Sequence, residues 1–148
     1  GKALGGGFPI GAMITKKSNM DLLQKNPILG HITTFGGHPV IAAAGFETLS
    51  IIIQNKLSKK AIEKENLFKE LLVHPLIHEV RSKGLMIALI MKNDIIANKL
   101  VINSLGKGLI LFWLLYEKRA VRITPPLTIS NSEIKKGCKI ILSVLNEI

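Results

Sequence analysis

Acidic residues are scarce in this chain of 148 residues: 10 aspartates and glutamates stand against 20 lysines and arginines, a formal charge of +10. Aromatic residues are also few, at 5%, with one tryptophan and one tyrosine. The lysines stand singly or in pairs (Lys16 and Lys17, Lys59 and Lys60, Lys135 and Lys136), with few rings nearby on which bases could stack. The charge therefore reads as a solvated basic surface rather than a nucleic-acid footprint. Cys138 is the one cysteine, which excludes an intramolecular disulfide and a thiolate zinc cluster and favours a reducing, cytoplasmic setting. The longest apolar runs, Leu85–Met91 and Leu109–Tyr116, fall far short of the ~20 residues of a membrane-spanning helix. The opening Gly1-Lys2-Ala3-Leu4 has neither an initiator methionine nor the apolar stretch of a secretory leader, and is expected to be an internal start.

What is present is a core. Hydrophobic residues make up 47% of the chain, enough for one domain, or for a small domain plus part of another. Phe8–Thr15 reads as a buried strand, followed by a short helix capped at Ser18 or Asn19. Gly30–Pro39 has no apolar period and is a loop. Pro39 suits a first helical turn, and Val40–Ile53 is apolar almost all round, which predicts a helix enclosed by protein on nearly every face. Leu57–Leu72 carries one apolar stripe (Leu57, Ala61, Phe68, Leu71, Leu72) and a wet side.

Beyond Pro75 strands are predicted at Val80, Leu85–Met91, Leu109–Leu115 and Val121–Thr124, with a helix opened by Asn93 or Asp94 and stopped by Gly106. Ser130 and Glu133 form a Ser-x-x-Glu capping box ahead of Ile134, Cys138, Ile141, Leu142 and Leu145, so the last helix buries Cys138. Alternating helices and strands give an α/β or α+β class. The division falls near residue 74.

Three segments offer chemistry. Lys2 precedes Gly5, Gly6 and Gly7. Neither this run nor Gly106-Lys107-Gly108 has the spacing of a phosphate-binding P-loop, and Pro9 spoils a dinucleotide turn. What remains is an amine beside pliant backbone, either able to condense with a carbonyl carbon or simply exposed before a turn. Thr33-Thr34-Phe35-Gly36-Gly37-His38-Pro39 sets hydroxyls and glycine amides before a helix N-terminus, an anion site or a plain capped loop. Val121-Arg122-Ile123-Thr124-Pro125-Pro126 places an arginine near a strand end whose exit is stiffened by two prolines. It suits bidentate carboxylate binding, or an ordinary edge-strand surface. His74 and His78 have metal-ligand spacing, but Pro75 disfavours the helix it would need, and no metal is expected.

Taken in order, Gly1–Ala12, Thr33–Pro39, Val80-Arg81-Ser82-Lys83-Gly84-Leu85-Met86 and Arg122–Ile129 resemble the class III pyridoxal-phosphate-dependent aminotransferases, which include acetylornithine, ornithine and 4-aminobutyrate aminotransferases. The resemblance implies the C-terminal part of a fold-type-I pyridoxal-phosphate-dependent transferase, with residues 1–73 ending the large domain and its connecting helices and 74–148 forming the small domain. It implies that Lys2 is the cofactor-bearing lysine and later the proton shuttle. Thr34 would contact the cofactor phosphate of the neighbouring subunit, in a homodimer with shared active sites, and Arg122 would clamp a substrate carboxylate. The cofactor would be pyridoxal 5'-phosphate.

The substrates would be an ω-amino or diamino acid and a 2-oxo acid such as 2-oxoglutarate. His38 stands where many members carry asparagine and is given no role. The family's phosphate-binding turn, its ring-stacking aromatic and its pyridine-pairing aspartate would precede Gly1, and neither Asp21 nor Asp94 has a context to replace the acid. These residues alone are therefore expected to be inactive, with apolar surface exposed where the preceding part docks. The alternatives are a non-catalytic truncated paralogue that binds protein through helix 39–54 and, less well supported, a basic nucleic-acid-binding domain.

Overall fold

The computed structural model describes residues 2–26, 28 and 30–148. The chain forms two compact units, Gly1–Asn55 and Lys56–Ile148.

The first unit holds helices α1 (Lys17–Asp21) and α2 (Pro39–Gln54). Proline at the first turn of α2 fits its fixed φ and missing N–H. Helix α1 begins one residue before the expected caps, after Lys16, and no side chain caps it. Two segments of this unit depart from their sequence pattern. Phe8–Thr15 forms no strand, because no described segment lies extended beside it to satisfy its backbone, and Ile14 is 94% exposed. Helix α2 is not enclosed: Gly45 is its one buried residue, while Val40, Phe46, Leu49, Ile51 and Ile53 are exposed. Among its described residues the unit has no second apolar layer to set against it.

The second unit is a two-layer structure built from α3 (Leu57–Leu71), β1 (Ile77–Lys83), β2 (Met86–Met91), α4 (Asp94–Gly106), β3 (Phe112–Trp113), β4 (Ala120–Ile123) and α5 (Asn131–Asn146). The strands pair antiparallel in the order β1-β2-β4-β3. Alternation along β2 puts Ile87, Leu89 and Met91 into the core with Val121 and Ile123 of β4, and turns Met86 and Ala88 to the opposite face. The three helices cover the core side with Phe68 and Leu72, Ala97, Leu100 and Val101, and Ile134, Cys138, Ile141, Val144 and Leu145.

The predicted stripe of α3 is the one that is buried, except that it also carries Glu65. Lys69 Nζ (2.7 Å), Ser82 Oγ (2.8 Å) and the Gly84 backbone N–H (2.6 Å) all donate to the Glu65 carboxylate, which fastens α3 to the β1–β2 turn. Gly84 takes φ 57 in that turn, a left-handed conformation that favours glycine. Helix α4 is capped by Asn93, whose side chain accepts from the Ile96 N–H at 2.9 Å. The predicted strand Leu109–Leu115 shrinks to Phe112–Trp113, because only Arg122 and Val121 of β4 pair with it.

Candidate active-site residues

Lys2 is exposed at the edge of two successive turns, closed by the Gly6 N–H to Ala3 O bond (3.0 Å) and the Phe8 N–H to Gly5 O bond (3.1 Å). Gly6 and Gly7 adopt φ values of 58 and 118. A Cβ on Gly5 would stand 2.1 Å from the Phe8 carbonyl oxygen, and one on Gly6 would stand 2.7 Å from Thr48 Oγ1. The turn is thus folded tightly on itself and seated on α2, where Gly45 leaves room for Ile10. The glycines are a steric requirement for the turn that follows Lys2. No carboxylate among the described residues pairs with Lys2, so its amine is available.

Thr34 lies exposed in a loop closed by the Gly36 N–H to Thr33 O and His38 N–H to Phe35 O bonds, both 3.1 Å. The loop runs directly into the first turn of α2 and, with Pro9–Gly11, borders a cavity of about 380 Å³. Neither Lys2 nor Thr34 lines that cavity. The two residues reach α2 at different turns. Thr48, under the Lys2 turn, is nine residues past Pro39, about 13 Å along a helix rising 1.5 Å per residue. His38 packs its ring 6.2 Å from that of Phe35, and its Nδ1 is buried without a partner.

Arg122 belongs to the second unit. It is exposed on β4, opposite Ala88 of β2 and Phe112 of β3, and its guanidinium carbon lies 5.1 Å from the centre of the Phe112 ring. A guanidinium stacked on a ring keeps its N–H edge directed outward. No carboxylate among the described residues bonds to it, so the edge is free for a ligand. The neighbouring arginines are engaged. Arg81 donates to Glu79 through Nε (3.3 Å) and Nη2 (2.7 Å), and Arg119 donates to Glu117. These bonds hold Glu79 below the usual carboxylate range and Glu117 down to about 2, and raise both arginines.

Sequence reasoning missed the Phe112–Arg122 stack, because it depends on the register of two strands. A ring one strand away from the arginine of an Arg-x-x-Pro-Pro run would have been the signal to seek. Cys138 is buried as expected, and burial pushes its thiol up to about 11. Among the described residues no group of three His, Cys, Asp or Glu side chains is placed to hold a metal, and no single helix is long and apolar enough to cross a membrane.

The aminotransferase class-III family model matches residues 1–145. The chain belongs to the class-III aminotransferases. It is 32% identical over 152 aligned positions to an acetylornithine aminotransferase from Caldanaerobacter subterraneus subsp. tengcongensis, covering 99% of this chain and 37% of that relative. The chain thus spans little more than a third of the curated relative it matches.

Among solved structures, a phospholyase from Arthrobacter, in complex with phosphoethanolamine, superposes with a TM-score of 0.92 at 21% identity, over 100% of this chain and 38% of its own. An acetylornithine aminotransferase from Elizabethkingia anophelis superposes with a TM-score of 0.70 at 29% identity, over 80% of this chain and 31% of its own. This class-III aminotransferase chain has the fold of the C-terminal portion of the fold-type-I pyridoxal-phosphate-dependent transferases.

Proposed function

We propose that the chain supplies Lys2, Thr34 and Arg122 to a pyridoxal-phosphate-dependent transaminase that moves the amino group of an ω-amino or diamino acid to a 2-oxo acid such as 2-oxoglutarate. The observation that carries the reading is that, in a chain of this family, Lys2 is exposed directly before a tight glycine turn with no acidic partner among the described residues. In this reading residues 1–73 end the large domain and its connecting helices, with α3 resting on the small-domain sheet, and 74–148 form the small domain. The cofactor, pyridoxal 5'-phosphate, would be held by Lys2 and, through its phosphate, by Thr34 of the neighbouring subunit. When bound, it supplies an electron sink for deprotonation at the amine-bearing carbon.

The chain's own residues fit that task. Among the described residues the Lys2 amine has no competing ion pair, so it can hold the cofactor and, once released, accept a proton at Nζ and return it. The Thr34 hydroxyl is exposed beside glycine amides, a setting that suits phosphate oxygens. Arg122, stacked on Phe112, orients a substrate carboxylate through its free N–H edge. The separate placement of Lys2 and Thr34 along α2 supports a site completed by a second copy, and the exposed apolar side chains Val40, Phe46 and Ile53 of α2 support a homodimer. The cytoplasm is the proposed compartment.

The test is selectivity. Adding pyridoxal phosphate to the dimer, reducing with borohydride and mapping the mass increment should label Lys2 ahead of every other lysine, and Lys2→Ala should abolish both the label and the visible absorbance band. Label spread evenly over the surface lysines would refute the reading. The exposed face of α2 also fits a second reading, a non-catalytic module that binds a longer aminotransferase. In that case Lys2→Ala would leave complex formation intact and no selective label would appear.

A further inference from the structure

The open face of the second unit's sheet carries a row of residues in register: Arg81 of β1, Ala88 of β2, Arg122 of β4 and Phe112 of β3. Directly opposed residues of antiparallel strands project to the same face. With strands about 4.8 Å apart, Arg81 and Arg122 stand roughly 10 Å from each other across Ala88. Lys83 is two residues beyond Arg81 on the same strand and therefore on the same face. Arg81, Lys83, Met86, Ala88, Leu114 and Arg122 line a cavity of about 340 Å³ there. Its lining includes the Ala88 methyl group and the apolar Met86 and Leu114 side chains, with Arg122 towards one end and Lys83 beside the Glu79-paired Arg81 towards the other.

The two ends differ in how their charge is held. Glu79 uses the Nε and Nη2 hydrogens of Arg81, leaving that guanidinium oriented but with N–H groups to spare. Lys83, like Arg122, has no acidic partner among the described residues. One end thus has an oriented arginine beside an unpaired ammonium, and the other has an unpaired guanidinium stacked on a ring. The Val80–Met86 segment, which carries Arg81 and Lys83, has no part in the function argued above.

We propose that this face is a two-ended anion bed: Arg122 holds one carboxylate of the ligand, Lys83 with Arg81 holds a second, and the aliphatic stem between them lies over Ala88 against Met86 and Leu114. Lys83 is thereby a specificity residue for dicarboxylate ligands over monocarboxylates. The inference rests on the reading of Arg122 as a carboxylate clamp and is independent of the role of Lys2.

Calorimetric titration of the full chain with glutarate and with butyrate at low ionic strength tests it. Glutarate should bind roughly threefold to fivefold more tightly, the scale of one exposed ion pair. Lys83→Gln should bring glutarate down to the butyrate value without weakening butyrate, Lys83→Arg should keep the preference, and Arg122→Gln should weaken both ligands. Ala88→Leu, which fills the floor without touching a charge, should weaken glutarate more than butyrate. Equal affinities in the unaltered chain, no binding of either ligand, or a preference that survives Lys83→Gln would each overturn the proposal. Loss of selective labelling at Lys2 with the glutarate preference intact would instead count against the cofactor reading alone.

Discussion

Replacing Ser130 by alanine removes the side-chain half of the capping box that starts α5 and leaves only the backbone half, the bond from the residue 130 N–H to the Glu133 carboxylate. Ser130 Oγ accepts from the Glu133 N–H at 3.2 Å, and the Glu133 carboxylate accepts from the Ser130 N–H at 2.8 Å and from Ser130 Oγ at 2.7 Å. Alanine leaves the Glu133 N–H without its side-chain acceptor and removes the hydroxyl that helps anchor the carboxylate. Loss of such a cap costs about 1 kcal/mol. Helix α5 contributes Ile134, Cys138, Ile141, Val144 and Leu145 to the core behind the Arg122 sheet, so fraying at its start is felt by the unit that holds Arg122. For a domain of this size 1 kcal/mol corresponds to a fall in Tm of about 4–8 °C.

Trp113, the one tryptophan, lies in this unit and donates from Nε1 to Asn98 Oδ1 at 3.2 Å, so its fluorescence follows unfolding there. Urea titration should show a lower midpoint with an unchanged slope. Ser132→Ala is the control, since Ser132 Oγ meets only Ser130 Oγ, and it should move Tm far less. If Ser130→Ala shifts Tm no more than Ser132→Ala does, the cap is not what holds the start of α5.

A double-mutant cycle on Phe112→Leu and Arg122→Gln, read by urea unfolding, should show a coupling of about 0.5–1 kcal/mol, the worth of an exposed cation–π contact; additive effects would dismiss the stack. The Lys69 ammonium, with Ser82 and the Gly84 N–H, lowers Glu65 to about 2 from its ordinary 4.5. Because the folded value lies below the unfolded one, the stabilisation is full above about 4.5 and fades as pH falls through about 2. Unfolding midpoints followed over that acid window should therefore decline, and Glu65→Gln should be less stable at neutral pH and respond less to acid; parallel pH curves for the two proteins would contradict this. Gly5→Ala should break the turn beside Lys2, where a Cβ would meet the Phe8 carbonyl oxygen at 2.1 Å. Hydrogen exchange at the Gly6 and Phe8 amides should accelerate, and unchanged exchange would show that the turn tolerates the methyl group.

Local chemistry made much of this protein legible from its residues. The capping box of α5, the proline start of α2, the stripe of α3 and the burial of Cys138 are each encoded within a few positions, because helical spacing and terminal hydrogen bonds are short-range. Class membership was legible in four ordered motifs. Tertiary structure decided what depends on distant partners. Among the described residues, Phe8–Thr15 has the composition of a strand but no strand to pair with, and α2 has the composition of a core helix but only the glycine turn and Ile10, around Gly45 and Thr48, packed against it. The stack of Phe112 on Arg122 and the row from Arg81 across Ala88 exist only once β1, β2, β4 and β3 are in register. A side chain's type is written in the sequence, whereas its company is set by which strands pair, and pairing across a sheet joins residues that lie far apart along the chain.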